Sequence, residues 1–349
     1  MIDQERLQTQ TDLIRAMPKI DLHRHLEGSL RLETLLSIAL EYGITLPALD
    51  IEGLRPFVQM VPGEPHSWQQ FLAKFQVLRQ FYRSETIIKR VTHEVIADAA
   101  ADNVKYMELR FTPQALNNLM RCDYDQVVEW VCDAAADATD QLDIQVMLIL
   151  SMNRHESVEI GEEVLEAAIQ FADRGVVGLD LAGQEAGHSG LPFRDLFERA
   201  KAAGLGVTIH AGEWAGAENV REAIEALGAD RIGHGIRTVE DPALLDLLQA
   251  RGTVLEVCPT SNIQSGAVAD FGVHPLVALY QQGVKTTINT DDPLICNVTM
   301  SDEIIQVLAS MPLTLDDVKQ NILTAANAAF LPPDQRAALV AQYQGWLYP

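Results

Sequence analysis

Eight short runs of apolar and β-branched residues recur along the chain, and each run is followed by a glycine, a proline or a polar break. Runs of this length and composition predict β-strands. The eight predicted strands span residues 18–25, 104–113, 144–154, 176–183, 206–213, 231–236, 253–262 and 285–293.

The segments between these runs carry apolar residues at helical spacing, and several of them end in glycine, which commonly terminates a helix. The clearest predicted helices span residues 125–138, 162–175, 193–204, 219–228 and 242–252. Regular alternation of strand and helix favours parallel βαβ units, and eight such units predict an α/β fold, the (β/α)8 TIM barrel. An open doubly wound sheet is the alternative, but no glycine-rich phosphate-binding sequence follows the first strand.

The first and second predicted strands are separated by a segment much longer than one barrel helix. We predict a helical insertion over about residues 31–100 that covers the barrel mouth as a lid, with further helices after the eighth strand. Phe71, Phe75 and Phe81 lie in this insertion, and they are equally compatible with a packed helical core. The whole chain, residues 1–349, is expected to form one domain.

Composition and charge narrow the function. The formal net charge is −23 and the acidic residues are spread along the chain, so its field repels phosphate backbones and nucleic acid is not an expected partner. The chain also lacks the P-C-x-x-C element of deaminases that act on polynucleotides. Four cysteines without a C-x-x-C pair, and no apolar run long enough to span a membrane, favour a cytoplasmic protein.

Polar residues follow the predicted strands at the points where the strands end. Carboxyl ends of barrel strands share one face, where the catalytic residues of this fold are found, so these side chains are expected to converge. The strand-end residues are His23, His25, Gly183, Gln184, His210, Glu213, His234, Asp291 and Asp292. His155 and His188 lie in loops nearer this mouth than the remaining histidines.

A metal site is the chemistry that this set favours. His23 and His25 are two residues apart on a strand, so both imidazoles point to the same face. With His210 and Asp291 they offer three nitrogens and one carboxylate, which suits a divalent ion such as Zn²⁺. Bound metal lowers the pKa of a water, and His234, flanked by glycines, is the candidate to orient that water. Glu213 is placed to carry a proton without being a ligand.

The motifs in this order resemble the adenosine deaminase-like zinc enzymes of the amidohydrolase superfamily. The matching segments cover nearly the whole chain and are PKIDLHRHLEGSL, YMELRFTP, LDLAGQE, TIHAGE, RIGHGI, EVCPTSN and INTDDP. The resemblance implies hydrolytic deamination of an aminopurine, with release of ammonia. It also implies that His23, His25, His210 and Asp291 hold zinc and that His234 orients the attacking water.

The resemblance further implies the substrate contacts. Glu213 is expected to pass a proton to purine N1, the Gly183 backbone to donate to N3, and Asp292 to bind N7. Because N7 only accepts hydrogen bonds, we expect the Asp292 carboxyl to carry a proton. Glu27 is similar to the carboxylate that binds the ribose 5′-hydroxyl, and His25 is expected to touch the substrate as well as the metal.

The resemblance leaves the substrate open. Adenosine and 2′-deoxyadenosine lead, but Glu27 and Gln184 replace residues common in adenosine deaminases. Adenine, N6-substituted adenines and aminodeoxyfutalosine are therefore alternatives. Strand four carries no lysine to bridge two metals, so one Zn²⁺ per chain is expected. A metal hydrolase of amides or esters and a catalytically silent zinc-binding protein are the other function classes, and an oligomer is compatible with the sequence.

Overall fold

The computed structural model describes residues 2–349, with side chains from residue 9 onward. Eight parallel strands form one sheet in which the strand order follows the chain order. The strands are β1 Lys19–His25, β2 Val104–Phe111, β3 Gln145–Asn153, β4 Val176–Ala182, β5 Gly206–Ala211, β6 Arg231–His234, β7 Val254–Val257 and β8 Lys285–Ile288.

The sheet closes on itself between the first and last strands. The Asp291 backbone N–H donates to the His23 carbonyl at 2.8 Å, and the His25 N–H donates to the Asp291 carbonyl at 2.8 Å. This bridge joins the chain beyond β8 to β1 and completes a (β/α)8 barrel, which confirms the predicted fold. It also places Asp291 directly beside the two strand-one histidines.

Helices surround the barrel and pack on the outer face of the strands. Within the described residues they are α1 Ile2–Ala16, α2 Leu32–Tyr42, α3 Ile51–Val58, α4 Trp68–Leu78, α5 Glu85–Ala101, α6 Pro113–Asn117, α7 Tyr124–Gln141, α8 Val158–Gln170, α9 Arg194–Ala202, α10 Ala217–Glu225, α11 Pro242–Arg251, α12 Pro259–Gln264, α13 Leu276–Gln281, α14 Pro293–Cys296, α15 Met300–Ser310, α16 Leu315–Ala328 and α17 Pro333–Leu347.

The region after β1 holds four helices, but they do not all have the same role. The last of them, α5, packs on β2 and on α7, so it is the barrel helix of the first βα unit. The additional helices are therefore α2, α3 and α4. At the other end of the chain α16 packs on β8 and β1, while α14, α15 and α17 are additional.

Two predicted strands are shorter in the structure than the sequence pattern indicated. The run 253–262 is a strand only to Val257, and the run 285–293 is a strand only to Ile288. In each case a proline, Pro259 or Pro293, occupies the first position of a short helix. Proline suits that position because its fixed φ and missing N–H cost nothing there.

Candidate active site

One cavity opens at the carboxyl ends of the strands, with a volume of ≈ 240 Å³. This is slightly below the range of about 300–1,000 Å³ for ligand pockets, so it suits a small ligand. Eight of the nine residues predicted for the site line it: His25, Glu27, Gly183, His210, Glu213, His234, Asp291 and Asp292. The ninth, His23, is fully buried directly beneath.

Four side chains converge at the floor of the cavity. One ligand atom each from His23, His25, His210 and Asp291 lies within 4.8 Å of every other. The closest pairs are His25 Nε2 to His210 Nε2 at 3.2 Å, and Asp291 Oδ1 to Nε2 of His23 at 3.3 Å and of His25 at 3.4 Å. Tetrahedral zinc with ligands at about 2.1 Å requires ligand atoms about 3.4 Å apart, so the donor set fits the ion.

Buried carboxylates orient two of these histidines. The Nδ1 of His23 lies 2.8 Å from Glu256 Oε2, and the Nδ1 of His210 lies 2.9 Å from Asp180 Oδ1. A carboxylate can only accept, so each ring donates from Nδ1 and turns a lone pair on Nε2 toward the cavity. The Nε2 of His23 has no hydrogen-bond partner among the described residues, as expected of a metal ligand.

The barrel interior fixes these carboxylates in turn. Glu256 accepts from Arg110 at 2.7 Å and from Arg231 at 2.6 Å, and all three side chains are buried. Pairing with two guanidinium groups compensates the burial of the Glu256 charge. The network therefore holds the carboxylate beneath His23 as a charged, rigid acceptor.

The pKa shifts of His25, His234 and Glu213 suit metal binding and acid catalysis. Burial lowers the pKa of His25 and of His234, so both rings are neutral near pH 7. Burial also raises the pKa of Glu213 well above its usual value, and the neighbouring carboxylates of Asp291 and Glu185 raise it further. Both effects favour the protonated form of the Glu213 carboxyl.

Two site residues have unusual backbones. His234 has φ 60° and Asp291 has φ 62°, both in the left-handed region that residues other than glycine rarely adopt. The surrounding barrel holds both conformations, which cost about 1–3 kcal/mol each. Strain of this kind is common where a side chain is aimed at a ligand.

A buried hydrogen-bond chain fixes the tautomer of His234. The Leu276 N–H donates to His274 Nδ1 at 3.0 Å, so the neutral His274 ring carries its proton on Nε2, 3.3 Å from Asn262 Oδ1. This orients the Asn262 amide, whose Nδ2 lies 3.1 Å from His234 Nδ1 and donates to Glu213 Oε1 at 3.0 Å. The Nδ1 of His234 is therefore an acceptor, and the proton is on Nε2, which lies 3.5 Å from Glu213 Oε2.

Asp292 and Glu27 each present one oxygen without a partner among the described residues. Asp292 Oδ1 is buried and unpaired, and burial with the adjacent Asp291 charge raises the Asp292 pKa well above its usual value. Glu27 accepts from the Thr112 N–H at 2.7 Å through Oε1, while Oε2 is unpaired. Burial raises the pKa of Glu27 to about 7.

Glycine is required at two positions around these groups. A Cβ on Gly28 would lie 1.7 Å from Asp292 Oδ1, so only glycine lets the Asp292 carboxyl pack against the chain. Gly183 has φ +84°, and a Cβ there would lie 2.7 Å from His155 Nδ1. Gly183 lines the cavity, and the absence of a side chain there leaves room for a ligand against its backbone.

Comparisons with known proteins agree with this geometry. A family model described as adenosine deaminase matches residues 18–346. An adenosine deaminase of Klebsiella pneumoniae is 37% identical over 93% of this chain and 97% of its own. The chain belongs to the adenosine deaminase family.

Solved structures of related enzymes have the same fold. Adenine deaminase from Arthrobacter aurescens has a TM-score of 0.85 at 27% identity, over 96% of this chain and 100% of its own. An amidohydrolase from B. ambifaria with bound zinc has a TM-score of 0.84 at 26% identity, over 97% of this chain and 92% of its own. These neighbours of the same fold thus include an adenine deaminase and an amidohydrolase that holds zinc.

Glu185 is a site residue to which sequence reasoning assigned no role, although it is part of the family motif LDLAGQE. Its buried carboxylate accepts four hydrogen bonds from the loop after β5 and one from helix α10, at distances from 2.5 to 3.1 Å. The donors are the backbone N–H groups of Gly212, Glu213, Trp214 and Ala215 and the side chain of Asn219. Glu185 therefore fixes the loop that carries Glu213.

Asp180, Glu256 and Asn262 were also missed. The first two had a visible signal, because each is an acidic residue inside an otherwise apolar strand, and an unpaired buried charge is costly. Asn262 lies in the segment predicted as strand but found as helix α12, so the sequence pattern misplaced its side chain.

The inserted helix α4 supplies part of the cavity wall. Phe71, Leu72 and Phe75 from this helix line the cavity, whereas Phe81 is buried in the core. At the start of the helix, Trp68 stacks on Trp214 with ring centroids 6.1 Å apart. Phe71 both lines the cavity and belongs to the buried core, so the two roles are not exclusive, and the role of this helix as a lid stays a prediction.

Among the described residues, no helix has both the length and the apolar composition that a membrane span requires.

Proposed function

We propose that the protein hydrolyses the 6-amino group of an aminopurine nucleoside, with adenosine and 2′-deoxyadenosine, converted to inosine and 2′-deoxyinosine, as the leading substrates. One observation carries this proposal. Four side chains that could hold a metal ion, a buried Glu213 with a raised pKa and a buried carboxyl of Asp292 with an unpaired oxygen meet at one small cavity. Purine deamination needs a water nucleophile, a proton for N1 and a group that recognises N7.

His23, His25, His210 and Asp291 would hold one Zn²⁺ per chain. The bound ion would lower the pKa of a water toward neutrality. The fit rests on the spacing of the four donor atoms and on the carboxylates behind His23 and His210. Metal analysis of the purified chain should give one equivalent of zinc, and two equivalents would contradict the proposal.

The protein's own residues would carry the proton transfers. Glu213 would protonate N1, so that the ring can accept electrons as water adds to C6. His234, with its proton on Nε2, would donate to the attacking water and hold it against C6. One proton of the added water would return to the Glu213 carboxylate, and the other would pass to the amino group, which leaves as ammonia while the C6–O bond becomes a carbonyl and N1 keeps its proton. These groups act on charge that develops in the transition state, where stabilisation accelerates the reaction.

The purine would be oriented from two sides. Asp292, with its raised pKa, would donate a hydrogen bond from its protonated carboxyl to N7, and the Gly183 backbone N–H would donate a hydrogen bond to N3. Glu27 would bind the ribose 5′-hydroxyl through its unpaired Oε2, and His25 would touch both substrate and metal. An unprotonated Asp292 in a neutron structure with bound purine would contradict this assignment.

Adenine is the second candidate, because the fold neighbour from Arthrobacter aurescens is an adenine deaminase. The test is kcat/KM for adenosine beside adenine, measured by the ultraviolet change on deamination with zinc-loaded protein. N6-substituted adenines, aminodeoxyfutalosine and a simple ester belong in the same screen. Preference for adenosine supports the proposal, whereas ester turnover without purine turnover would favour the metal-hydrolase alternative. Retained zinc without any turnover would favour a silent zinc-binding protein.

Helices α2–α4 would act as a lid over the single barrel domain. Phe75 on α4 lines the cavity, so its removal should weaken substrate binding and admit water. We expect Phe75→Ala to raise KM for adenosine several-fold. Phe57→Ala on α3, an exposed side chain, is the control. Unchanged kinetics in the Phe75 variant would assign α4 to the scaffold.

The partners that we propose are small purine molecules. The net charge of −23 disfavours nucleic acid as a partner. The four cysteines are free thiols, which suits the cytoplasm as the proposed location.

A further inference from the structure

Arg79, at the C-terminal end of α4, lines the outer part of the cavity and forms no ion pair or side-chain hydrogen bond within the described part of the chain. Its Nε is buried without a partner. This is unusual on a chain with 49 acidic and 26 basic residues, where a guanidinium readily finds a carboxylate. Buried donors are nearly always paired, so an unpaired one in a cavity indicates a missing acceptor.

The charge of Arg79 reaches both sides of the cavity wall. On one side its positive charge lowers the pKa of Glu27, although burial raises that pKa by more. On the other side burial lowers the pKa of His155 most, and the charge of Arg79 lowers it further. Neither residue pairs with it. Its charge also lowers the pKa of Glu156, which burial raises, and Glu156 Oε2 is buried without a partner and forms no ion pair with Arg79. Glu27 is the group that the proposed function places at the ribose, so Arg79 lies at the sugar end of the substrate.

His155 adds a second donor beside Arg79. The Gln184 backbone N–H donates to His155 Nδ1 at 3.3 Å, so the neutral ring carries its proton on Nε2. That N–H has no partner among the described side chains. A third unpaired donor, the buried Nε1–H of Trp214, lies on the same cavity wall. The outer cavity therefore offers one cation and two neutral donors.

A ligand group that complements this set is rich in acceptors and negatively charged. Guanidinium binds carboxylate and phosphate through paired, charge-assisted hydrogen bonds. Ribose hydroxyl groups are weaker partners, because each is neutral and both donates and accepts. We propose that the outer cavity, between Arg79 and His155, binds an acidic group on the sugar end of the aminopurine substrate, either a carboxylate or a phosphate. This inference rests on the proposed deamination.

The test compares substrates that differ only in charge. Adenosine 5′-carboxylate and adenosine 5′-carboxamide have nearly the same shape, and adenosine 5′-monophosphate supplies the phosphate. We expect zinc-loaded protein to prefer the carboxylate or the monophosphate over the carboxamide by about 10- to 100-fold in kcat/KM, the range of a charge-assisted hydrogen bond. The preferred anion identifies the source. Equal or better turnover of the carboxamide would overturn the proposal.

Variants separate Arg79 from general electrostatics. Arg79→Gln should bring the ratio of carboxylate to carboxamide close to one, and Arg79→Lys should give an intermediate ratio. Arg83→Gln removes the same charge four residues further along, at an exposed side chain that bonds only the Gln80 carbonyl. It should leave the ratio unchanged. Equal effects of Arg79→Gln and Arg83→Gln would refute the subsite.

Binding measurements keep this inference distinct from the proposed reaction. Calorimetric titration of the carboxylate and the carboxamide, with parent protein and Arg79→Gln, reports the subsite without any turnover. If no aminopurine is deaminated but the carboxylate still binds through Arg79, the proposed function fails and the acidic subsite stands. If adenosine is deaminated and neither anion is preferred in binding or turnover, the subsite alone fails.

Discussion

Glu185 provides the sharpest test of how the site is built. The carboxylate is buried and accepts five hydrogen bonds, four from the loop that carries Glu213 and one from Asn219 on α10. Oε2 accepts from three backbone N–H groups, whereas Oε1 accepts from Gly212 and Asn219. Glu185 does not reach the purine in the proposed mechanism. It is therefore a positioning residue, and its variants should separate catalysis from substrate binding.

The magnitude follows from these contacts. Glu185→Ala leaves four backbone donors unsatisfied, two of them buried and two partly buried. At about 1–3 kcal/mol each, we expect a loss of about 4–6 kcal/mol in the free energy of unfolding after partial hydration. Glu185→Gln keeps one oxygen for the three donors on one side, and Asn219 can turn its amide oxygen to the new NH2 group. Only the Gly212 N–H then loses its acceptor, for a loss of about 2 kcal/mol.

Activity should respond in kcat more than in KM. A proton carrier contributes about 10²–10⁴-fold, and partial misplacement of Glu213 in Glu185→Gln should lower kcat about 10- to 100-fold. Gly183 and Asp292 still hold the purine, so KM should change less than threefold.

The pH profile gives an independent readout. Burial, then the charges of Asp291 and Glu185, raise the pKa of Glu213. Removing the Glu185 charge lowers that pKa. Because the protonated form is the one required, the basic limb of kcat should move to lower pH in Glu185→Gln.

The assay is steady-state adenosine deamination from pH 6 to 9, with denaturant unfolding of the same samples. Glu222→Gln is the matched control, because Glu222 accepts from Ser189 and Gly190 on the same β4–α9 loop but does not line the cavity. A folded Glu185→Gln protein with parental kcat and an unshifted basic limb would refute the reasoning.

Three further predictions test other parts of the site and fold. His274→Leu removes the donor that orients Asn262 and should lower kcat about tenfold. His274→Gln restores an N–H and should recover most of this loss. Equal losses of kcat in the two variants would contradict the tautomer assignment. Gly28→Ala places a Cβ 1.7 Å from Asp292 Oδ1 and should raise KM for adenosine at least tenfold in steady-state kinetics, and an unchanged KM would argue against the N7 contact. Burial raises the pKa of Glu303 from 4.5 to about 7, so the folded state binds more protons than the unfolded state between these values and the free energy of unfolding falls as pH rises through that window. In denaturant unfolding, the parent protein should lose about 1.4 kcal/mol of its free energy of unfolding between pH 6 and 8.5, and Glu303→Gln should not show this loss. Parallel pH curves for the two proteins would exclude this contribution of Glu303.

The sequence by itself determined the barrel and most of the residues at its mouth. Alternation of strand and helix along the chain is a local property that the sequence shows directly. Because the strand ends share one face in this fold, the sequence was enough to predict that His23, His25, His210 and Asp291 converge. The same reasoning failed at 253–262 and 285–293, where prolines stop the strand pattern and begin a helix.

Only the tertiary structure decided which side chains meet across the barrel. Glu256 lies behind His23, which is 233 positions away in the chain, and Glu185 binds a loop that follows a different strand. Such pairs depend on strand register, tilt and loop path, which no local spacing encodes. The unpaired state of Arg79 is likewise a property of its surroundings, because a guanidinium in a sequence gives no sign of whether the fold supplies its acceptor.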